Sequence, residues 1–209
     1  MIHLFHGFLG SPEDFSFLKR EDVIVHDLYE MNDFPKVSEE DVLIGYSMGA
    51  RVAMEIAHKN QFKIKKLVIM NSHPGLETEE EKLYRRNFEV AVLEKLKTMT
   101  KKEFLSYWNA LPLFAHDAPL ENLSDERYSR SSDLFDKFLL SKQDNFLPEI
   151  AQNKEKVLWI VGLQDEKYLE IASEKILPHD IPVVGLPGGH RLFQRQKELK
   201  ELLQDEGIL

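Results

Sequence analysis

Six short, nearly continuous apolar runs punctuate the chain, at Ile2–Phe5, Val23–His26, Val42–Tyr46, Leu67–Asn71, Val157–Val161 and Pro182–Leu186. A strand with one wet face alternates apolar and polar side chains. A run that is apolar at almost every position predicts a strand covered on both faces, as in a parallel sheet. Amphipathic stretches with helical spacing lie at Pro12–Lys19, Met48–Asn60, Lys167–Leu177 and Leu192–Gln204. The alternation predicts an α/β fold around a central parallel sheet. One connection is short. Residues 27–40 provide 14 positions between the second and third strands, enough for a parallel crossover. Asn32, Asp33 and Pro35 suit a loop or single turn there, not a full helix.

The middle third has another texture. From Glu77 to about Asn153 there is no strand-like run. "TEEEKLYRRNFEVAVLEKLKTM" reads as a long helix, with Thr78 and Glu81 spaced as a capping box. "TKKEFLSYWNALPLF" continues helical to Pro112, and "SDERYSRSSDLFDKFLLSKQ" and "NFLPEIAQ" follow. The expected organisation is a core of residues 1–76 and 154–209, with 77–153 an all-helical insert after the fourth strand. The insert either packs extra helices on the sheet or forms a lid over the strand C-termini, where open α/β sheets bind ligands.

Composition narrows the function classes. A formal net charge of −9 over 209 residues argues against general nucleic-acid binding, which needs a basic face. The absence of cysteine excludes disulfides, thiolate metal sites and a cysteine nucleophile. His26, His58, His73, His116 and His179 are scattered without ligand spacing, so no metal is expected, and no cofactor is expected either. No apolar run approaches a membrane span, and "MIHLFHGFLGS" lacks the basic start of a signal peptide. The expectation is a cytoplasmic protein acting on a small molecule, of undetermined oligomeric state.

The chemistry concentrates at four places. In "VLIGYSMGARVAM", Ser47 stands between Gly45 and Gly49 where a strand gives way to a helix, the G-x-S-x-G pattern of a nucleophile elbow. A serine hydroxyl needs a base. His190, in "VVGLPGGHRLF", follows the last strand on a loop that can carry imidazole over the strand ends. The imidazole needs an acceptor to fix its tautomer. Asp165 follows the fifth strand in "GLQDEKY", with Glu166 the runner-up and an ordinary helix N-cap the competing reading for Asp165. Two backbone donors for a developing oxyanion would come from Met48, just after the serine, and Phe8, in "LFHGFLGS". His6 falls too early in the chain to serve as the base and reads as structural. His73, after the fourth strand, either lines the pocket or packs a turn.

"HGFLGS", "GYSMGAR", "GLQDEKY" and "GGHRLF", in this order, resemble the α/β-hydrolase superfamily over nearly the whole chain. Within it the chain is similar to the 2-succinyl-6-hydroxy-2,4-cyclohexadiene-1-carboxylate synthases, which eliminate pyruvate from a cyclohexene intermediate of menaquinone biosynthesis. Arg51, "SHPGL" at 72–76, Arg85, "YWNALPLFA" at 107–115 and, more weakly, Arg130 carry this narrower likeness. It implies that Arg51, Arg85 and Arg130 hold substrate carboxylates and that Trp108 stands at the boundary of lid and pocket. Each has a plainer alternative: a local salt bridge for Arg51, i,i+4 pairing with glutamate for Arg85, solvent for Arg130, core packing for Trp108. Against the family pattern, the first two strands are absent, "DLYEMND" replaces a glycine-rich turn with its helix deleted, "SSDLFDK" is shortened, and Asn109 replaces a tyrosine. The resulting fold expectation is an α/β-hydrolase fold reduced to about six mostly parallel strands, in the order 2-1-3-4-5-6. Three functions follow: elimination of the menaquinone-pathway type, carboxylester hydrolysis through an acyl-serine, or a non-catalytic binding protein that keeps the fold.

Overall fold

The computed structural model describes residues Met1–Leu209. Six strands, β1 (Ile2–Phe5), β2 (Val23–His26), β3 (Val42–Tyr46), β4 (Lys66–Met70), β5 (Val157–Gly162) and β6 (Val183–Leu186), form one sheet. Its order is β2-β1-β3-β4-β5-β6, and every pairing is parallel. β1, β3 and β5 are buried at every position, as continuous apolar runs require.

Alternate side chains of each strand point to opposite faces, and the core divides accordingly. Phe5, Leu43, Leu67, Ile69 and Trp159 join the larger apolar cluster beneath α1 (Met48–Lys59) and the middle third of the chain. Leu4, Ile44, Val68 and Ile160 join the smaller cluster, closed by Phe15, Leu18 and the apolar stripe of α7 (Gln196–Asp205).

Between β4 and β5 the chain is helical: α2 (Glu79–Thr98), α3 (Lys101–Asn109), α4 (Asp125–Lys137) and α5 (Leu147–Gln152). The capping box of α2 is complete, with Glu81 N–H donating to Thr78 Oγ1 at 3.1 Å and Thr78 N–H to Glu81 Oε2 at 3.0 Å. The 27–40 connection contains no helix.

Three helical segments differ from expectation. Pro12–Leu18 is 3-10, with a kink at Phe15, which has non-helical φ and ψ and a wholly buried side chain. The stretch expected as one helix over Lys167–Leu177 begins as α6 (Glu166–Ile171), widens into a π turn at Ala172–Ile176 and ends at Leu177–His179, where Pro178 has no N–H to continue it. Leu192–Gln204 is interrupted at Arg195, which has non-helical φ and ψ, so α7 starts one residue later.

Candidate active site

The strand order reverses at β1, which lies between β2 and β3. Open α/β sheets bind ligands at the carboxyl ends of the strands flanking such a reversal. The loop after β1 carries Phe8, and the turn after β3 carries Ser47.

Ser47 has φ 53° and ψ −114°, a backbone conformation that costs about 1–3 kcal/mol for a residue with a side chain. Its surroundings hold it there. Ser47 N–H donates to Met70 O at 2.9 Å, and Ser72 Oγ donates to Ser47 O at 2.9 Å. The two glycines are steric requirements. A Cβ on Gly45 would lie 2.2 Å from the Ala50 Cα, and one on Gly49 would lie 2.2 Å from the Phe5 carbonyl oxygen. Strand and helix can approach this closely only without those side chains.

His190 Nδ1 donates to Asp165 Oδ2 at 2.7 Å, and Ser47 Oγ donates to His190 Nε2 at 3.0 Å. Asp165 and His190 are both 2% exposed. Asp165 is also the N-cap of α6, accepting from Tyr168 N–H at 3.3 Å. The two readings of Asp165 are therefore compatible, because one carboxylate oxygen serves each. Glu166 is exposed on the first turn of α6 and joins no hydrogen bond of this chain. The Tyr168 ring stacks on His190 with centroids 5.0 Å apart.

The Met48 N–H is in the first turn of α1, among the donors that have no intrahelical acceptor. Phe8 N–H makes no hydrogen bond to the main chain. His6 is wholly buried and joins the loop after β1 to the turn after β2: Nδ1 donates to Gly7 O at 2.8 Å, and Nε2 accepts from Leu28 N–H at 3.0 Å and lies 3.2 Å from Asp27 Oδ1.

A cavity of about 220 Å³ opens beside Ser47 and His190. Arg51, Arg85, Lys167 and Arg191 stand in its wall, and Asp14 is its only carboxyl group. Phe8, Trp108, Phe114 and Phe135 supply apolar surface. Arg51 has no carboxylate partner; Nη1 donates to Phe138 O at 2.6 Å. Burial and the neighbouring Arg85 lower its pKa to about 10. Arg85 does pair along its helix with Glu89, at 2.8 Å, yet still faces the cavity. Burial, reinforced by Lys175 and Lys167, lowers the His73 pKa to about 3. His73 therefore stays neutral, and because Nδ1 accepts from Gly75 N–H at 3.1 Å its proton is on Nε2. Burial also raises the Asp14 pKa.

Arg130 is not at the cavity. Its guanidinium donates to Glu30 and to Tyr29 O. It is tied to the turn after β2, away from both the substrate carboxylate that the resemblance implied for it and the solvent that was its plainer alternative. Three further residues were missed. Asn71, buried at the end of β4, donates to Gly189 O at 3.1 Å and His190 O at 2.8 Å and accepts from Gly162 N–H at 2.9 Å. Asp117 accepts from the His190 and Arg191 N–H groups. Arg191 lines the cavity. Only the position of Arg191, next to His190, offered a signal in the sequence.

No family model matches the chain. It is 27% identical over 158 residues, 71% of this chain and 62% of the relative, to a Haemophilus influenzae protein provisionally named 2-succinyl-6-hydroxy-2,4-cyclohexadiene-1-carboxylate synthase. It is 25% identical over 143 residues, 65% of this chain and 56% of the relative, to a Serratia proteamaculans protein of that name. These alignments span less than two thirds of either relative's length. Among solved structures it is similar to MenH from S. aureus, with a TM-score of 0.74 and 22% identity, covering 99% of this chain and 94% of the other. The fold is that of the α/β hydrolases, and both relatives bear the name of this synthase.

Proposed function

We propose that this chain is a serine-triad enzyme for a small carboxylate-bearing substrate, most like the pyruvate-eliminating synthases of menaquinone biosynthesis. Ser47 is the reacting hydroxyl, His190 the base and Asp165 the group that orients the imidazole and stabilises its charged form. The observation that carries the substrate class is the inversion of charge. A protein of net charge −9 keeps four cations and one carboxyl group around the cavity beside Ser47. Arg51, whose burial lowers its pKa, lacks an acidic partner. A buried guanidinium left unpaired is costly, and a substrate carboxylate would satisfy it bidentately.

In this reading His190 takes the Ser47 proton as Ser47 Oγ takes a proton from substrate carbon. The Phe8 and Met48 N–H groups hold the resulting oxyanion. The oxyanion's electrons then form the new ring double bond as the carbon–oxygen bond breaks, and the leaving group departs with that bond's electron pair as the enolate of pyruvate, which takes up the proton held by His190. Arg51 and Arg85 hold carboxylates, Trp108 packs the ring, and residues 77–153 act as the lid. The chain works in the cytoplasm; no helix is long and apolar enough to cross a membrane. The apolar wall of Phe8, Phe114 and Phe135 supports a second reading, ester hydrolysis through an acyl-serine.

The test is incubation with the cyclohexene intermediate and measurement of pyruvate. Release that disappears in Ser47→Ala and Arg51→Ala supports elimination. Turnover of p-nitrophenyl acetate without pyruvate supports the esterase instead. Folded protein in which a fluorophosphonate fails to label Ser47 would leave only a binding role.

A further inference from the structure

The loop that carries His190 is held from three directions. Asp165 holds the ring. Asn71, from the core, holds the carbonyls of Gly189 and His190. The main-chain N–H groups are held by the middle third of the chain: His190 N–H donates to Asp117 Oδ2 at 3.0 Å and Arg191 N–H to Asp117 Oδ1 at 3.1 Å. One carboxylate thus spans two consecutive amides. Hydrogen bonds to a charged acceptor are the stronger kind.

We infer that Asp117 is a positioning residue for His190, so that the segment joining α3 to α4 sets the orientation of the base as well as covering the cavity. The inference rests on the reading of His190 as the base for Ser47.

Two further features show that the clamp is built. The first is room for it. A Cβ on Gly189 would lie 2.6 Å from Asp117 Oδ1, with only Asp117 atoms among its nearest neighbours. Glycine at 189 is what lets the carboxylate reach both amides. The second is that the segment bearing Asp117 is itself fastened. Asn109 closes it through Leu120, donating to Leu120 O at 3.0 Å and accepting from Leu120 N–H at 2.9 Å. Arg191 returns the grip, with Nη1 on Ala118 O at 2.6 Å and Nη2 on Asn109 Oδ1 at 2.7 Å. Gln194 exchanges two 3.0 Å bonds with the Ala118 main chain. The His190 loop and residues 109–120 are therefore one mechanical unit. Asp117 does not line the cavity, so its effect passes through His190 and not through substrate.

The experiment uses full-length protein and a fluorophosphonate probe for Ser47. Asp117→Ala should slow inactivation at least about tenfold, as small misplacements of a reacting group do. The KM for p-nitrophenyl acetate should stay within about twofold, because ground-state binding is untouched. Asp117→Asn, which keeps one acceptor, should fall between. Gly189→Ala, which pushes the carboxylate away, should slow labelling in the wild-type background and add nothing in Asp117→Ala. That non-additivity is the signature of one shared contact. The downfield proton NMR signal of His190 Nδ1–H should shift or broaden in both single variants. Wild-type labelling rates and an unmoved His190 signal in Asp117→Ala would overturn the inference, as would strictly additive effects of the two substitutions. If Asp117→Ala does not fold, Asp117→Asn decides by the same rate and signal. Failure of the wild type to be labelled would overturn the reading of Ser47, and the inference with it.

Discussion

Asn71 and His190, 119 residues apart, are joined by a 2.8 Å hydrogen bond from the Asn71 side-chain amide to the His190 carbonyl. The same side chain accepts from Gly162 N–H at the end of β5. One amide therefore ties the ends of β4 and β5 to the histidine loop. Asn71 has φ 42°, a left-handed conformation that asparagine adopts more readily than most residues.

Asn71→Ala leaves the buried Gly162 N–H and the Gly189 carbonyl without partners, while the His190 carbonyl keeps Leu192 N–H at 3.0 Å. The expected loss is about 2–4 kcal/mol of folding free energy, read as a shift in the urea midpoint. Activity should fall as well, through disorder of the His190 loop.

Ser47→Ala and His190→Ala should each lower kcat at least about 10³-fold, as in other triads, and the double variant should be no worse than the poorer single one. A loss below tenfold in either variant, measured on the substrate that wild type turns over, would contradict their assigned roles.

Arg51→Ala should reduce kcat/KM for a carboxylate substrate about 10²-fold or more, the cost of removing one partner of a buried charge pair. Turnover of p-nitrophenyl acetate should change no more than about threefold. Arg51→Lys should recover only part of the loss, since a point charge cannot bond bidentately. Arg130→Ala should leave both activities near wild type and cost stability instead.

The pH dependence of stability follows from His26. Burial, with a smaller effect of His3, lowers its pKa to about 4, and His3 Nδ1 lies 2.9 Å from His26 Nε2. Between pH 6.5 and 4 the unfolded chain carries a proton on this ring and the folded chain does not. Protons bound only by the unfolded state make stability rise with pH, so the contribution is complete above about 6.5 and is lost on acidification toward 4. His73, with its pKa lowered to about 3, acts in the same direction over a window reaching lower. His26→Gln should flatten the slope of unfolding free energy against pH, removing about 1–2 kcal/mol of it after allowance for partial exposure.

The strands were readable because their signal is local. Val42–Tyr46 is apolar at almost every position, and such a run has few alternatives. Ser47, Asp165 and His190 could be nominated for the same reason: each follows a strand, and the carboxyl ends of parallel strands converge. What sequence reading lacked was pairing at a distance. Nothing around Asn71 or Asp117 marks a side chain that will meet the backbone of residues 189–191, because neither contact has a period or a motif. Arg130 shows the converse. Its chemistry suited a carboxylate ligand, but Glu30 and the Tyr29 carbonyl are nearer partners, and only the three-dimensional path of the chain reveals them. The kink at Phe15 is a third kind of case, where the helical spacing of the sequence carries no sign of the break.

The shortened passage from β2 to β3 has a larger effect than its length suggests. With no crossover helix there, that flank is covered by α4: Arg127 grips Asp27, Lys137 grips Met31 O, and Ser131 meets the Tyr29 hydroxyl at 2.9 Å. The same run of helices thus lines the cavity beside Ser47 through Trp108, Phe114 and Phe135 and braces the sheet margin through α4. If the segment serves as the proposed lid, its attachment at both places favours motion of its parts over a swing of the whole. Grafting another segment in its place would remove the brace on β2 along with a wall of the cavity.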